Sequence, residues 1–532
     1  MRTKIVFGFC IGLFWTGALF AASSIGVYNI RDFGAEPGGE TLCAQAIQNA
    51  VDRCAEAGGG TVLIPPGTWV TGTVYLESHV TIRLENGATV LGSKDKGDYG
   101  PPRKLSGSDD ETFSYWAIFA GKDLEHVAIC GSGTIDGQGA NFKYKNGPRP
   151  KNLYFEDCRD VLIEGVRLRH AGSWMQHYRD CDRLTIRDIA VFNHVSYNND
   201  GLNIDSCRDV TIVGCHIDSD DDAVVLKSLS TKPTENVTIS DCVISSHCNS
   251  IKMGTESGGG FRNIAVSNCT ICSPRYSKSI YGRQRGLAGV ALEIVDGGTL
   301  DRVAVSNIAI KGVTVPIFMR LGNRARTYEP DQAKPDVGTF RNVVVSHIVA
   351  TDCSSVGCSI AGLPEHRMEN VTLTDINLGF DGGGTEEEAS RAIPEKAGSY
   401  PESTMFGTLP AYGLFCRHVK GLTLENVRLR TSSSDRRHAV VLDDVQDAAI
   451  DALDAPFAGD AAALVRLTHS ARISIRNCRP PEGTDVFLAL QGPETKAISL
   501  YSNDLANARK TCDRDPDVPA AALAAWSNHI RE

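Results

Sequence analysis

The sequence predicts an all-β protein built as a parallel β-solenoid with a capping helix near its N-terminus. Three observations support this prediction. A short turn-and-strand pattern recurs along the chain, its copies are about one coil apart, and an amphipathic helical segment precedes them. The length of 532 residues would otherwise suggest several domains. A solenoid accounts for this length with a single domain, because each coil buries its apolar face only by stacking on its neighbours.

The repeat is a polar pair followed by alternating apolar residues. It occurs at residues 159–163, 182–186, 208–212, 235–239 and 262–266, and again near 301, 341, 369 and 420. The first apolar residues of successive copies are 23, 26, 27, 27, 39, 40, 28 and 51 residues apart. The shorter steps leave no room for helical crossovers between parallel strands. The longer steps predict inserted loops near residues 275–300, 325–340 and 380–415.

The N-terminus has the plan of a signal peptide. Arg2 and Lys4 precede an apolar run over residues 5–20, and small residues follow at 21–24. We therefore predict a signal peptide over residues 1–22 and a secreted or periplasmic protein. A membrane anchor is the alternative, but the run is short and no second apolar run of about 18 residues occurs.

The remaining chain divides by pattern into three parts. Residues 25–95 are predicted to form the N-terminal cap and first coils, 96–480 the main β-helix, and 481–532 a C-terminal extension. In the cap, apolar residues recur at helical spacing from 46 to 54, with Thr41 as the expected N-cap and three glycines as the stop. Residues 519–530 are predicted to form a second short helix.

Cysteine placement favours stacking over disulfide bonds. Two sets occupy matching coil positions, namely Cys158, Cys181 and Cys207, and then Cys215, Cys242 and Cys269. Equivalent positions of a solenoid stack at the spacing of neighbouring strands, so we expect columns of buried thiols. Cys353 and Cys358, in a glycine-containing turn segment, are the better candidates for a disulfide bond.

The charge balance excludes one class of partner. Lys and Arg number 54 against 64 Asp and Glu, a formal charge of −10. Binding to phosphate backbones requires a positive footprint, so nucleic acid is not an expected partner. The protein is expected to be a monomer that does not bind membranes once its signal peptide is removed.

The most acidic stretch suggests where chemistry occurs. Asp221 and Asp222 follow Asp200 by about one coil, so Asp200 and Asp221 are expected to face the same side with Asp222 beside them. Crowded carboxylates repel one another, which raises the pKa of at least one. A glycosidase needs one protonated carboxyl and one carboxylate. A solvated acidic turn and a calcium site are the alternatives.

The sequence around these aspartates resembles glycoside hydrolase family 28, the polygalacturonase-like pectin hydrolases. Residues 198–201 read N-N-D-G and residues 221–228 read D-D-A-V-V-L-K-S, close to the family pattern N-x-D-G and D-D-C-I-A-I-K-S. Residues 28–35, 58–67 and 133–139 are also similar to family segments. The resemblance runs from about residue 27 to about residue 430.

The resemblance implies a single-stranded, right-handed parallel β-helix and hydrolysis with inversion. By position, Asp221 would be the general acid, while Asp200 and Asp222 would hold and deprotonate the attacking water. Asn198 would orient the cluster. Lys227 would pair with a carboxylate, or form a structural salt bridge. No metal and no cofactor is expected, and the rate should follow a bell-shaped profile centred on mildly acidic pH.

Two departures from the family pattern concern substrate binding. Asn249 stands where the family's G-H-G motif has its His, and residues 289–294 contain neither the Arg nor the Lys of the R-I-K motif. These losses make plain homogalacturonan a poor substrate. They favour the rhamnogalacturonan-directed branch or an exo-acting relative. Replacement cations could be Lys252, Arg283, Arg285, Arg320 or Arg324.

Two aromatic residues one coil before Asp200 are further candidates. Trp174 and His177 match the family's S-x-W-x-x-H stretch, and either could contact a sugar or belong to the core. Together these features favour an inverting hydrolase of galacturonic-acid-containing pectic polysaccharide. A pectate-type lyase and a non-catalytic carbohydrate-binding solenoid are the alternatives.

Overall fold

The computed structural model describes residues 26–99, 116–143, 149–274, 280–328 and 331–530. The predicted signal peptide lies outside these residues. Neither α-helix of the described chain has the length or apolar composition needed to cross a bilayer. The helices are α1 (Ala44–Glu56) and the single-turn α2 (Glu386–Ala389), and short 3-10 turns occur at Ile30–Phe33, Lys96–Asp98, Gly139–Phe142 and Ala520–Ala522.

The strands of the described residues belong to one continuous sheet that winds into coils. The first coils contain β1 Gly26–Asn29, β2 Gly60–Ile64, β3 Gly67–Thr71, β4 Val74–Tyr75, β5 Val80–Leu84, β6 Ala88–Gly92, β7 Ala117–Lys122, β8 Glu125–Gly131 and β9 Thr134–Asp136. The central coils contain β10 Lys151–Glu156, β11 Arg159–Glu164, β12 Arg167–Arg169, β13 Gln176–Arg179, β14 Asp182–Arg187, β15 Ala190–Asn193, β16 Leu202–Asp205, β17 Arg208–Val213, β18 His216–Ser219, β19 Val224–Ser228, β20 Thr234–Ser240, β21 Val243–Ser246 and β22 Asn249–Ser257. The later coils contain β23 Gly260–Cys272, β24 Ala288–Ile294, β25 Thr299–Lys311, β26 Val315–Leu321, β27 Thr339–Cys353, β28 Cys358–Ala361, β29 Met368–Phe380, β30 Ala411–Thr431, β31 His438–Asp451, β32 Val465–Thr468, β33 Ala471–Arg476, β34 Thr484–Gln491, β35 Lys496–Tyr501, β36 Ala508–Arg514 and β37 Leu523–Trp526.

Each central coil contributes one strand to each of three faces. Strands β10, β13, β16, β19 and β22 pair in parallel along the first face. Strands β11, β14, β17, β20 and β23 do so along the second, and β12, β15, β18 and β21 along the third. Inward side chains alternate with outward ones and form one continuous apolar core. The prediction of a parallel β-helix is confirmed.

The polar pair of the repeat marks a sharp turn between the first and second faces. Its second residue adopts a left-handed backbone, with φ of 56° at Asp160, 57° at Asp209 and 57° at Asn236. Asp and Asn tolerate this region better than other non-glycine residues. Their side chains also stack, since Asn236 Nδ2 donates to Asp209 Oδ1 at 2.8 Å. The repeated sequence pattern therefore reflects the left-handed turn residue as well as the strand that follows it.

Helix α1 covers the first coil, as predicted. Its apolar stripe of Ile47, Ala50, Val51 and Cys54 is buried, which protects the open end of the sheet. The N-cap prediction is wrong. The helix begins at Ala44, so its N-cap is Cys43 and not Thr41. The Cys43 side chain makes no capping hydrogen bond.

The two cysteine columns form as expected. Cys158, Cys181 and Cys207 are buried free thiols in successive coils, as are Cys215, Cys242 and Cys269. The disulfide predicted for Cys353 and Cys358 is wrong, since both are free thiols. Cys353 ends β27 and pairs with Phe380, whereas Cys358 begins β28 and pairs with Leu414. The two thiols therefore belong to different faces and are each buried in the core.

The C-terminal region differs from the helix predicted over residues 519–530. The chain there makes one 3-10 turn and then β37, which pairs in parallel with β35. Its pairing with β35 adds one more strand to the coil stack instead of a capping helix. Strands β34 to β37, within the predicted C-terminal extension, pair with the preceding coils in the same way.

Candidate active site

The three aspartates lie where the strands of the first face begin. The register pairs Leu202 of β16 with Val224 of β19, and Val224 with Ile251 of β22. Counting back two residues places Asp200, Asp222 and Asn249 at equivalent positions in three successive coils. The sequence argument put Asp221 opposite Asp200. The register instead puts Asp222 there, with Asp221 one residue earlier in the turn.

Backbone bonds hold the aspartate turn in place. Gly201 donates its N–H to the Asp222 carbonyl at 2.9 Å, which ties the two coils together. The Asp222 N–H donates to Asp221 Oδ1 at 2.9 Å. The Asp221 carbonyl accepts hydroxyl bonds from Ser219 and Ser246, each at 2.7 Å. These bonds fix the backbone of the turn and the orientation of the Asp221 carboxyl group.

Asp222 is held by two polar partners from the next coil. Lys252 Nζ lies 3.1 Å from Asp222 Oδ2, and Asn249 Nδ2 donates to Asp222 Oδ1 at 2.8 Å. Lys252 also lies 3.9 Å from Glu293 Oε2. Burial disfavours the charged lysine, but the adjacent Asp222 outweighs it and raises the pKa of Lys252 well above its usual range. Lys252 is therefore a permanent cation beneath the site.

A second buried lysine supports Asp200. Lys227 Nζ lies 2.9 Å from Glu256 Oε2 and 4.0 Å from Asp200 Oδ2. Burial opposes ionisation of Glu256, but Lys227 and Arg324 outweigh it and lower the pKa of Glu256 to about 2. Lys227 thus forms a permanent ion pair with Glu256 and lies beside Asp200.

Burial and like charge shift the acids of the cluster. Burial, followed by the charge of Asp221, raises the pKa of Asp200 well above its usual range. Burial and the charge of Asp222 also raise the pKa of Asp221, against a smaller opposite effect of Tyr281. The cluster can therefore hold a proton on one carboxyl while another remains ionised.

Asn198 acts on the cluster through Tyr281. Its backbone N–H donates to the Tyr281 hydroxyl at 2.9 Å, and that hydroxyl donates to Asp221 Oδ2 at 2.8 Å. The Asn198 side chain accepts a bond from Arg149 Nη2 at 2.8 Å. Tyr281 belongs to the loop between β23 and β24, so the sequence pattern indicated the loop but not this contact.

The loop between β29 and β30 brings two more residues to the site. Glu402 Oε1 lies 3.4 Å from Asn249 Nδ2. The Tyr400 ring lies 5.6 Å from Lys252 Nζ, and 51% of the Tyr400 surface is exposed. An exposed aromatic ring beside a carboxylate cluster suits sugar stacking. The inserted loop was predicted from its length, but nothing in its local pattern singled out these residues.

The five candidate cations have different surroundings. Arg283 is part-exposed, its Nη1 lies 2.6 Å from Cys248 Sγ, and the Glu402 and Asp221 carboxylates raise its pKa despite burial. Arg285 pairs with Asp381 instead. Arg324 pairs with Asp296, and Arg320 is buried against backbone carbonyls. Arg283 is the candidate beside the aspartates that also reaches solvent.

Trp174 and His177 are both enclosed. Trp174 is 4% exposed, with Lys227 Nζ 4.7 Å from its ring centre. His177 is 1% exposed, and its Nε2 lies 3.2 Å from Asp205 Oδ2. Burial outweighs Asp205 and lowers the pKa of His177 to about 4. Both residues therefore belong to the buried packing next to the aspartate cluster.

Glu293 yields a pH prediction. Burial outweighs Lys252 and raises its pKa from 4.5 to about 8. The folded state therefore keeps a proton that the unfolded state loses, so this group contributes stability that declines as pH rises from about 4.5 to 8. Glu293→Gln should match the wild type near pH 5. Above pH 8 it should be more stable, on the order of 5 kcal/mol, measured by urea unfolding.

The control for this measurement is Glu125→Gln, because 53% of the Glu125 side chain is exposed. It should leave the pH dependence of stability unchanged. Equal slopes for Glu293→Gln and the wild type between pH 5 and 9 would contradict a buried, protonated Glu293.

These features define a parallel β-helix protein with a cluster of carboxylates on one face. The sequence profile described as "Glycosyl hydrolases family 28" matches residues 54–398. Because this match covers more than half of the chain, the protein belongs to that glycoside hydrolase family. It carries the family's aspartate motifs but departs from the G-H-G and R-I-K patterns.

Individual relatives agree with this assignment. A "Probable polygalacturonase" of Vitis vinifera is 33% identical over 215 residues, covering 38% of this chain and 44% of the relative. An "Exo-poly-alpha-D-galacturonosidase" of Dickeya chrysanthemi is 34% identical over 125 residues, covering 21% of this chain and 20% of the relative. The chain thus spans less than half the length of these curated relatives.

Solved structures agree with the fold. The exopolygalacturonase of Thermotoga maritima superposes with a TM-score of 0.56 at 22% identity, covering 67% of this chain and 87% of that one. The polygalacturonase of Erwinia carotovora gives a TM-score of 0.52 at 17% identity, covering 65% of this chain and 92% of that one. At these identities the similarity concerns the fold alone.

Proposed function

We propose that the protein is an exported, inverting glycoside hydrolase that removes galacturonic acid units from a pectic polysaccharide by exo attack. The observation that carries this proposal is the convergence of Asp200, Asp221 and Asp222 from two neighbouring coils. Asp200 and Asp222 are 3% and 5% exposed, whereas Asp221 is half-buried. Asp221 is therefore the carboxyl group that is accessible from solvent, whereas Asp200 and Asp222 are buried beside it.

The roles follow from the contacts of each carboxyl group. Asp221, with its Oδ2 bonded by Tyr281, donates a proton to the leaving glycosidic oxygen. Asp200 and Asp222 orient a water and remove its proton as the oxygen attacks the anomeric carbon from the opposite face. Lys252, 3.1 Å from Asp222 Oδ2, holds Asp222 in place for this step. Inversion needs room for the water, with carboxyl groups about 6.5–9.5 Å apart.

Exo action is supported by the loops around the cluster. In the loop between β23 and β24, Tyr281 contacts Asp221 and Arg283 contacts Cys248. In the loop between β29 and β30, Tyr400 lies beside Lys252 and Glu402 beside Asn249. Loops that stand at the end of a groove turn it into a pocket that admits a chain end. Two relatives are also named as exo-acting enzymes, including the exopolygalacturonase of Platanus acerifolia.

Incubation with homogalacturonan and with rhamnogalacturonan backbone tests the proposal. Mass spectrometry should detect galacturonic acid released from chain ends, and early NMR spectra should show the anomer of inverted configuration. Products formed only from the rhamnogalacturonan backbone would instead assign the protein to the rhamnogalacturonan-directed branch. Unsaturated products that absorb in the ultraviolet and disappear with chelator would instead identify a lyase. No product from either polymer would favour a carbohydrate-binding solenoid.

Arg283 is proposed to bind the carboxylate of the substrate. A charge-assisted hydrogen bond contributes about 1.5–3 kcal/mol, so Arg283→Gln should raise KM for galacturonan oligosaccharides by about 10- to 100-fold with a small change in kcat. Initial rates over a substrate series measure this. Arg285→Gln is the matched control, because Arg285 pairs with Asp381. Equal KM values for the two variants would remove Arg283 from substrate binding.

A further inference from the structure

A second column of chemistry-bearing residues lies at the end of the third face. The register pairs Asn193 of β15 with Ser219 of β18, and Ser219 with Ser246 of β21. The next residue in each coil is His194, Asp220 and His247, respectively. These three residues stack in successive coils, and all three are buried.

The side-chain atoms of this column lie close to one another. One ligand atom from each residue lies within 4.8 Å of the others. His194 Nδ1 is 3.6 Å from Asp220 Oδ1. This distance is long for a hydrogen bond, but it suits two ligands that are each about 2.1 Å from a shared ion.

A second carboxylate sets the orientation of His194. The Nε2 atom of His194 is 2.9 Å from Asp218 Oδ1. When Nε2 carries the proton, Nδ1 presents its lone pair toward Asp220. Metal-binding imidazoles are commonly held by a carboxylate in this way.

His247 is the independent observation that points to a ligand. It is 0% exposed, and neither ring nitrogen has a hydrogen-bond partner among the described residues. Its ring meets the ring of His194 edge-on, with centroids 5.7 Å apart. Buried polar groups almost always have a partner, and an ion coordinated by His247 would provide one.

We propose that His194, Asp220 and His247 bind one divalent transition-metal ion, for which Zn²⁺ is the best fit. Two imidazoles and one carboxylate match a tetrahedral zinc site with a water as fourth ligand. Calcium prefers six to eight oxygen ligands, which this column does not supply. The site goes beyond the proposed function, because no step of the hydrolysis passes through the ion.

Binding of the ion would connect the stacked coils to the loop between β23 and β24. Asp220 accepts the backbone N–H of Ile280 at 3.1 and 2.9 Å with its two oxygens. The following residue, Tyr281, bonds to Asp221. An ion on Asp220 would therefore link three coils and fix the loop that positions Tyr281.

The test uses the full protein stripped of metal with a chelator and then dialysed against ZnCl₂ or CaCl₂. Mass spectrometry of the metal content should give one Zn²⁺ per chain and no calcium. Zinc at about 100 times its dissociation constant should raise Tm by about 2 °C or more. Both His247→Gln and Asp220→Asn should lose the zinc and the shift. His170→Gln should keep both, because His170 pairs with Asp136 outside this column.

A spectroscopic readout keeps the proposal falsifiable if a variant fails to fold. Co²⁺ bound to the wild-type protein should show the visible bands of a tetrahedral site with nitrogen and oxygen ligands. Sulfur-to-cobalt charge-transfer bands would place the metal on cysteines and overturn the assignment. So would the absence of zinc from the wild type, or full zinc content in a folded His247→Gln variant.

Discussion

Asp221→Asn should lower kcat on the pectic substrate by about 10²- to 10⁴-fold, the usual contribution of a general acid. The change removes the proton that the leaving oxygen requires and retains the size of the side chain. The Asn amide can still accept the Tyr281 hydroxyl bond through its oxygen, so the loop contact remains possible. Initial rates with saturating substrate, and KM from the same series, measure the effect.

Asp209→Asn is the matched control for Asp221→Asn. Asp209 lies near the start of β17 on the neighbouring face, and its side chain is half-exposed. Its left-handed backbone, with φ of 57°, suits Asn as well as Asp. Unchanged kcat is expected. If Asp221→Asn kept wild-type kcat, Asp221 would not be the acid; if both variants lost activity equally, the loss would come from the fold.

Lys252→Met should destabilise the protein by about 3–5 kcal/mol, because it leaves the buried Asp222 carboxylate without its cation. Lys252 is 2% exposed and lies 3.1 Å from Asp222. The same change should also abolish most activity, since it removes the cation that holds Asp222 in place beside the attacking water. Urea unfolding followed by circular dichroism measures the stability, and kcat measures the loss of base.

A double variant separates charge from packing. Lys252→Met combined with Asp222→Asn should recover part of the lost stability, because the buried carboxylate is then absent. It should not recover activity. Lys311→Met, at a lysine that is 73% exposed and paired with Asp352, should change neither property. Additive losses in the double variant would mean that Lys252 and Asp222 are not coupled.

The sequence predicted most of the fold because a solenoid repeats its local rules. The polar pair with its left-handed second residue recurs at Asp160, Asp209 and Asn236. Each copy is followed by apolar alternation, so the coils could be counted. The disulfide at Cys353 and Cys358 was predicted incorrectly, because proximity along the chain does not show that two thiols lie on different faces.

The aspartates could be found from their motifs, but their register could not. A step of 21 residues suggested that Asp221 faces Asp200, whereas the coil length at that turn is 22 residues and Asp222 is the equivalent position. One residue of turn length decides this. The column of His194, Asp220 and His247 could not be predicted from the sequence for a related reason, since its members are separated by whole coils rather than by a few residues.

The sequence by itself determined the β-helix, its capping helix and the family to which the three aspartates belong. These depend on local patterns that each coil repeats. Only the tertiary structure placed Tyr281, Arg283, Tyr400 and Glu402 around the cluster. Those residues come from inserted loops that follow no repeat, so their positions depend on packing against coils that are distant in the chain. The surroundings of the aspartates therefore depend on long-range contacts that no local pattern encodes.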